Sequence, residues 1–111
     1  MDRSEVIAER FLIFVSPEGK EILSSVQIGA PYANDDHGTC CDFEVPNVVK
    51  RRYGAGVDGI QALLLTMSAV WSHLDLLVSR GWKMLWPDTR DETTTAEIFE
   101  SEHFARMRNE T

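Results

Sequence analysis

The chain has 111 residues, of which 43% are hydrophobic and 26% are charged, and its formal net charge is −7. A chain of this length forms one domain that can bury a core without disulfides or structural metals. The negative charge disfavours binding to a nucleic-acid backbone, which requires clustered Lys and Arg. The first eleven residues lack an apolar segment and the two cysteines are adjacent. We therefore expect no secretory signal, free thiols and a cytoplasmic location.

The first part of the chain predicts a β-hairpin followed by a loop. Residues 6–15 are rich in β-branched and aromatic side chains, and residues 21–28 alternate along the chain. Residues 16–20 between them read SPEGK, in which Pro and Gly favour a turn. Two such runs joined by a Gly-containing turn form a hairpin. Residues 29–39 are rich in Gly, Pro, Asn and Asp, which predicts an exposed loop.

Three further runs predict strands. Residues 40–45 alternate, with an inward set of Cys41, Phe43 and Val45 and an outward set of Cys40, Asp42 and Glu44. Residues 48–53 are predicted to continue the sheet. Residues 82–86 predict a short edge strand, which Pro87 ends because proline cannot donate a hydrogen bond to a neighbouring strand.

Residues 54–82 predict one long helix. Asp58 is placed to cap its first turn, with Gln61 completing a capping box, and Gly81 favours the left-handed residue that ends a helix. Nine apolar residues recur at spacings of three and four, which places them on one broad helix face. That face is expected to pack on the sheet; its members are Ile60, Leu63, Leu64, Met67, Val70, Trp71, Leu74, Leu77 and Val78.

A second stripe of small and apolar residues lies roughly opposite the first face of the helix. Its members are Ala62, Leu65, Ala69, Ser72 and Leu76. Three partners could cover this stripe: the C-terminal part of the chain, a second copy in a homodimer, or another protein. A membrane-spanning helix is not expected, because charged residues interrupt the segment and no apolar run approaches the roughly 20 residues that a span requires.

These elements predict an α+β fold. A mainly antiparallel sheet of three to five strands, arranged as a hairpin and meander, packs on the one long helix in two layers. Residues 1–87 form the domain. Residues 88–111 form an acidic linker, with a weak helix over residues 96–108 that docks on the domain.

Few residues are arranged for catalysis. His37, Cys40 and Cys41 are metal-ligand types, but adjacent cysteines in a strand point apart, so no metal site is expected. Residues 54–59 read GAGVDG and lack both the lysine of a phosphate-binding loop and the full dinucleotide motif. We expect these glycines to turn the chain into the helix. No catalytic residue and no cofactor is predicted.

Two other groups are candidate contacts with a partner. Lys50, Arg51 and Arg52 form a basic cluster before the helix. Such a cluster binds a phosphate or an acidic partner, or it is a solvated strand edge that discourages sheet-to-sheet association. Trp86 is a candidate binding residue, because Trp is enriched in the energetically dominant part of interfaces.

The sequence from Tyr53 into the helix resembles a known family. Tyr53 and Gly54, followed by VDGIQALLL over residues 57–65, are similar to the YGxDxxQAL-type helix start of small uncharacterised bacterial proteins. The resemblance covers roughly residues 5–80. This chain inserts Ala55 and Gly56 before the Asp of the motif. The family carries no established activity, and the likeness to immunity proteins encoded beside bacterial toxins is one of size and charge alone.

The sequence favours a non-enzymatic, cytoplasmic protein-binding domain, in particular an immunity-type inhibitor of a basic bacterial toxin. The acidic charge, the second stripe and the tryptophans support that hypothesis. Two alternatives stay open. One is a small-molecule-binding or hydrolytic domain that uses His73, Asp75 and Tyr53 around a pocket at the helix. The other is a structural module that self-associates through the second stripe. Nucleic acid and membranes are not expected as partners.

Overall fold

The computed structural model describes residues 1–99, which form an antiparallel β-sheet with a long helix packed on one of its faces. The α+β class is confirmed, with more strands than the sequence predicted. After a 3-10 turn at Arg3–Glu5 the elements are β1 (Val6–Val15), β2 (Glu21–Gly29), β3 (Tyr32–Asn34), β4 (Gly38–Val45), β5 (Val49–Gly56), α1 (Gly59–Ser79), β6 (Lys83–Leu85), β7 (Glu92–Thr93) and α2 (Thr95–Phe99).

The sheet has the strand order β5-β4-β2-β1-β6-β7, and all its pairings are antiparallel. Strand β3 pairs with the first part of β4, on the same side as β2 and opposite β5. The predicted hairpin of β1 and β2 is confirmed, with Ile13 opposite Leu23 and a left-handed Gly19 in its turn. Strand β5 therefore lies at one edge of the sheet and β7 at the other.

The start of α1 differs from the prediction, whereas the Asp58 cap agrees; the Gln61 side chain reaches back beyond the cap residue and accepts from the Val57 N–H at 2.8 Å. The helix begins at Gly59, and residues 54–56 belong to strand β5. The Asp58 carboxylate accepts a hydrogen bond from the Gln61 N–H at 2.9 Å. At the other end Gly81 is left-handed, and the Trp82 N–H donates to the Leu77 carbonyl at 3.0 Å. These bonds satisfy backbone groups that a helix end leaves free.

The buried face of α1 is rotated from the predicted one. The fully buried residues are one helical turn apart: Ala62, Thr66, Val70 and Leu74. Three members of the predicted core face, Ile60, Leu64 and Val78, are exposed instead. The core below the helix contains Leu12, Phe14, Val26, Ile28, Phe43 and Val45, so the predicted inward side of β4 is confirmed.

Three other predictions require correction. Strand β3 lies within the predicted loop 29–39, and Cys40, expected to face outward, is as fully buried as Cys41. Strand β6 is not an edge, because β7 pairs with it from within the predicted linker. The predicted helix 96–108 corresponds at its start to α2, and residues 100–108 lie outside the described part of the chain.

Helix α1 is long and apolar enough to cross a membrane by length and composition alone. The core helix of a folded domain passes the same test. In this fold one face of α1 packs on the sheet, so its inward apolar residues have a partner within the domain.

Candidate functional site

The position of α1 is fixed by two glycines of β5. A Cβ atom added to Gly54 would lie 2.5 Å from the Thr66 Oγ1, and one added to Gly56 would lie 2.7 Å from the Ala62 backbone nitrogen. The Gly54 N–H donates to the Thr66 Oγ1 at 3.2 Å, and that hydroxyl donates to the Cys41 carbonyl at 2.9 Å. The glycines therefore let helix and strand touch, whereas the sequence assigned them to a turn.

This close approach divides the predicted binding stripe between the core and the surface. Leu65, Ser72 and Leu76 are exposed, so a partner can reach them. Ala62 is fully buried against β5 and is not available to a partner, and Ala69 is half-buried against the core. Trp86, the other predicted binding residue, is half-buried too, and the Arg10 guanidinium lies over its ring at 5.4 Å from the centroid.

Four large apolar side chains are exposed in the segment that leads into α1 and in its first turns. Val57 is 83% exposed, Ile60 75%, Leu64 65% and Leu65 47%. We call these four residues the N-terminal apolar patch. Sequence reasoning missed Ile60 and Leu64 because the predicted face placed them in the core. One pattern in the sequence could have shown that Ile60 and Leu64 face outward. Two glycines lie two residues apart in a strand, and Ala62 and Thr66, which contact them, lie one turn apart in the helix.

Near its C-terminal half, α1 is partly covered by α2. The ring centroids of Trp71 and Phe99 are 5.1 Å apart, and Phe99 and Ile98 pack against the core. The Trp71 indole N–H donates to the Asp75 carboxylate at 3.0 Å. The C-terminal flank of α1 therefore has a partner within the described residues, which the N-terminal apolar patch does not.

A cleft opens between β5 and α1 on the opposite flank of the helix. Its volume is about 430 Å³, and its lining consists of Phe43, Arg51, Arg52, Tyr53, Ala69 and His73. We call it the β5–α1 cleft. The rings of His73 and Phe43 are 5.4 Å apart between centroids. Burial and, to a lesser extent, the nearby charge of Arg52 lower the pKa of His73. A histidine so placed is mostly neutral near pH 7.

The basic cluster does not act as one patch. Arg51 donates from its Nε to Asp42 at 2.7 Å and from its Nη2 to Glu5 at 3.0 Å. Arg52, the next residue in the strand, lies opposite Phe43 in the sheet and so belongs to the helix side. Lys50 is exposed. The structure thus places Arg51 in ion pairs on one face and leaves Arg52 at the β5–α1 cleft.

Of the three residues named for the hydrolytic alternative, His73 and Tyr53 both line the β5–α1 cleft, whereas Asp75 does not. Asp75 is bonded to Trp71, on the side of the helix away from β5, whereas His73 faces Phe43. Tyr53 stacks with His37, at 5.6 Å between ring centroids. His73 therefore has no carboxylate from Asp75 to orient it, and a paired acid and base is not assembled here.

The sheet face away from α1 carries a network of internally paired polar groups. The Glu9 carboxylate accepts hydrogen bonds from Arg3, Ser25 and Gln27 at 2.7, 2.7 and 3.1 Å. The hydrogen bonds from Arg3 and then Ser25 hold the pKa of Glu9 below its usual value. Tyr32 donates to Asp42 at 2.7 Å on the same face, which raises the pKa of Tyr32 to about 12.

Both cysteine side chains are buried. The Cys41 thiol donates to the Gly29 carbonyl at 3.1 Å, and burial raises the pKa of Cys41. Such a thiol is mostly protonated and weakly nucleophilic at neutral pH. Within residues 1–99, no three His, Cys, Asp or Glu side chains gather as a metal-ligand set.

Residues 8–96 match the family described as "Domain of unknown function (DUF6968)". The match covers most of the chain, so the chain belongs to this family, and the family resemblance seen in the sequence is confirmed. No curated protein and no solved structure matches the chain.

Proposed function

We propose that this member of the DUF6968 family is a non-enzymatic protein-binding domain that docks its partner on the N-terminal apolar patch of α1. The observation that carries the proposal is the exposure of four large apolar side chains, between 47% and 83%, within residues 57–65. Ile60 and Leu64 lie one helical turn apart on the same face, and soluble domains rarely leave contiguous apolar surface exposed unless another molecule covers it.

The patch is presented on a rigid support. Asp58 caps the helix directly beside it, and the bonds of Thr66 fix the same turn of α1 to β4 and β5. A partner that binds a preordered helix loses little conformational entropy on association. The spacing of Ile60 and Leu64, one turn apart, suits an apolar groove that accepts one side of a helix.

The net charge of −7 supports a basic protein as the partner, because complementary charge accelerates association and disfavours wrong partners. An inhibitor of a basic toxin, of the immunity type, is the specific form that we propose. Its partner would combine a basic surface with an apolar groove.

The proposal is tested with the product of the neighbouring gene, purified and titrated against the full chain by calorimetry. We expect a complex with a micromolar or lower dissociation constant for the parent chain. The double variant Ile60→Ala/Leu64→Ala should bind at least about tenfold more weakly, as expected for central apolar contacts. The matched control is Leu23→Ala, because Leu23 is similarly exposed but lies in β2, on the face away from α1.

Two results would count against this function. One is the absence of any complex at micromolar concentrations. The other is equal binding by the patch variant and the Leu23 control. Sedimentation of the isolated chain separates the self-associating alternative, since a dimer that Ile60→Ala/Leu64→Ala dissociates would make a second copy the partner.

A further inference from the structure

The β5–α1 cleft has the shape and charge of a binding site that the proposed docking surface does not use. Its volume of about 430 Å³ lies in the usual range for sites of small molecules. Arg52 and His73 line it together with Ala69 and the exposed Tyr53, above the buried Phe43. Ile60 and Leu64 of the N-terminal apolar patch lie on the outward side of α1, whereas Leu65 is one turn from Ala69, so the patch and the cleft adjoin at Leu65.

The charges around the cleft are unbalanced. The nearby carboxylates are engaged elsewhere: Asp42 binds Arg51 and Tyr32 on the far face of the sheet, and Asp75 binds Trp71. Arg3, Arg51 and Arg90 form ion pairs with acidic side chains, whereas within residues 1–99 Arg52 forms none, as is also true of Arg10 and Arg80.

The lowered pKa of His73 agrees with an excess of positive charge at the cleft. Its pKa is lowered by burial and by the positive charge of Arg52, and no acidic group opposes the two effects. An anion placed between the two side chains would pair with the guanidinium and accept a hydrogen bond from the imidazole. It would also favour the protonated form of His73.

We infer that the β5–α1 cleft binds a small organic anion, with its carboxylate or phosphate group between Arg52 and His73 and its apolar part against Tyr53 and Ala69. The arginine provides a planar pair of donors that matches two oxygens of either group. The aromatic ring and the alanine methyl provide the apolar wall that bare inorganic anions cannot use.

The test follows the His73 ring signals of the full chain by NMR during titration with phenyl phosphate, benzoate and inorganic phosphate. Sodium chloride at matched ionic strength is the control for screening. We expect a saturable shift with at least one of the two aromatic anions, and a rise in the pKa of His73 when it is bound. The aromatic anion should bind more tightly than inorganic phosphate, because only it contacts Tyr53 and Ala69. The relative strength of phenyl phosphate and benzoate identifies which anionic group the cleft prefers.

Two matched variants make the result specific. Arg52→Gln should weaken binding by about tenfold or more, the scale of a lost charge-assisted contact. Lys50→Gln removes the same charge from an exposed residue of the same strand that does not line the cleft, and should leave binding nearly unchanged. The inference is overturned if no anion gives a saturable shift, if sodium chloride gives the same shift, or if the two variants weaken binding equally. Thermal melts of both variants confirm that each is folded.

Discussion

The two flanks of α1 are packed in opposite ways. Towards β5 the first turns of the helix touch the strand, with no room for a Cβ atom at Gly54 or Gly56, and the β5–α1 cleft opens only beyond them, at Ala69 and His73. Towards β1 and β2 a half-open apolar cavity of about 220 Å³ lies at the surface, lined by Val26, Ile28, Met67, Val70, Ile98 and Phe99 among others. The contact with β5 therefore fixes the position of the helix, and the packing against β1 and β2 follows from that position.

This difference explains how the surface of the domain arises. When Ala62 and Thr66 are held against β5, the helix rotation is fixed, and Ile60 and Leu64 must face outward. Large side chains at Met67 and Phe99 then fill the far flank incompletely. If the β5 flank fixes the position of the helix, substitutions on that flank should lower the free energy of unfolding much more than substitutions of equal size on the cavity flank.

The largest expected effect is that of Gly56→Ala. The new methyl group would meet the Ala62 nitrogen at 2.7 Å, and backbone cannot move aside as a flexible side chain can. We expect a loss of about 3 kcal/mol in the free energy of unfolding, the upper part of the range for overpacking. Urea unfolding followed by circular dichroism measures it. Gly59→Ala is the control, since its methyl group would meet only Pro31, at 3.4 Å. Equal losses in both variants would show that the contact of β5 with α1 is not special.

Thr66→Val should have the second largest effect. Valine keeps the shape of the side chain but leaves the Gly54 N–H and the Cys41 carbonyl without their partner. Such a loss costs about 1–3 kcal/mol for buried groups. Thr66→Ser keeps the hydroxyl and should retain more of the stability than Thr66→Val. Amide exchange at Gly54 should accelerate in the valine variant alone; unchanged protection there would contradict the role of the hydroxyl.

The sequence predicted those features that depend on near neighbours. The Asp58 cap, the left-handed Gly81 and the turn at Gly19 each need only a few adjacent residues, and all three are present. The rotation of α1 depends instead on which strand lies below it. Helical spacing alone cannot distinguish a buried Ala62 from an exposed one when both sides of the helix are apolar.

Long-range pairing limited the prediction of the site in the same way. The bond of Arg51 to Glu5 joins residues far apart in the chain, so its separation from Arg52 could not be read from a run of three basic residues. Strand β7 contains only two residues, too few for any periodic pattern, and it forms because β6 offers a free edge. The β5–α1 cleft was expected only as a pocket at the helix, with His73 and Tyr53 among its residues.

Filling the cavity should have a smaller and opposite effect. Val26→Ile adds one methylene group next to the empty volume, and burying it should stabilise the domain by up to about 0.8 kcal/mol. Val45→Ile is the matched control, because Val45 is equally buried but does not line the cavity. We expect the control to be destabilised by crowding. The comparison of flanks would fail if both substitutions changed stability in the same direction.

The smallest expected effect is a pH dependence on the tight flank, arising from His73. Its folded pKa is lowered from the usual 6.5, so the folded state binds this proton less readily than the unfolded state does. The stability that follows is fully present above pH 6.5 and is lost as the pH falls through the folded pKa. Urea midpoints compared between about pH 7.5 and pH 5.5 should fall more for the parent chain than for His73→Gln. Glu9 does not confuse this window, because its lowered pKa lies below 4.5 and acts only in more acidic solution. An equal fall in both proteins would mean that the β5–α1 cleft leaves His73 as well solvated as it is in the unfolded chain. His73 would then not be partly buried in the cleft, as its lowered pKa requires.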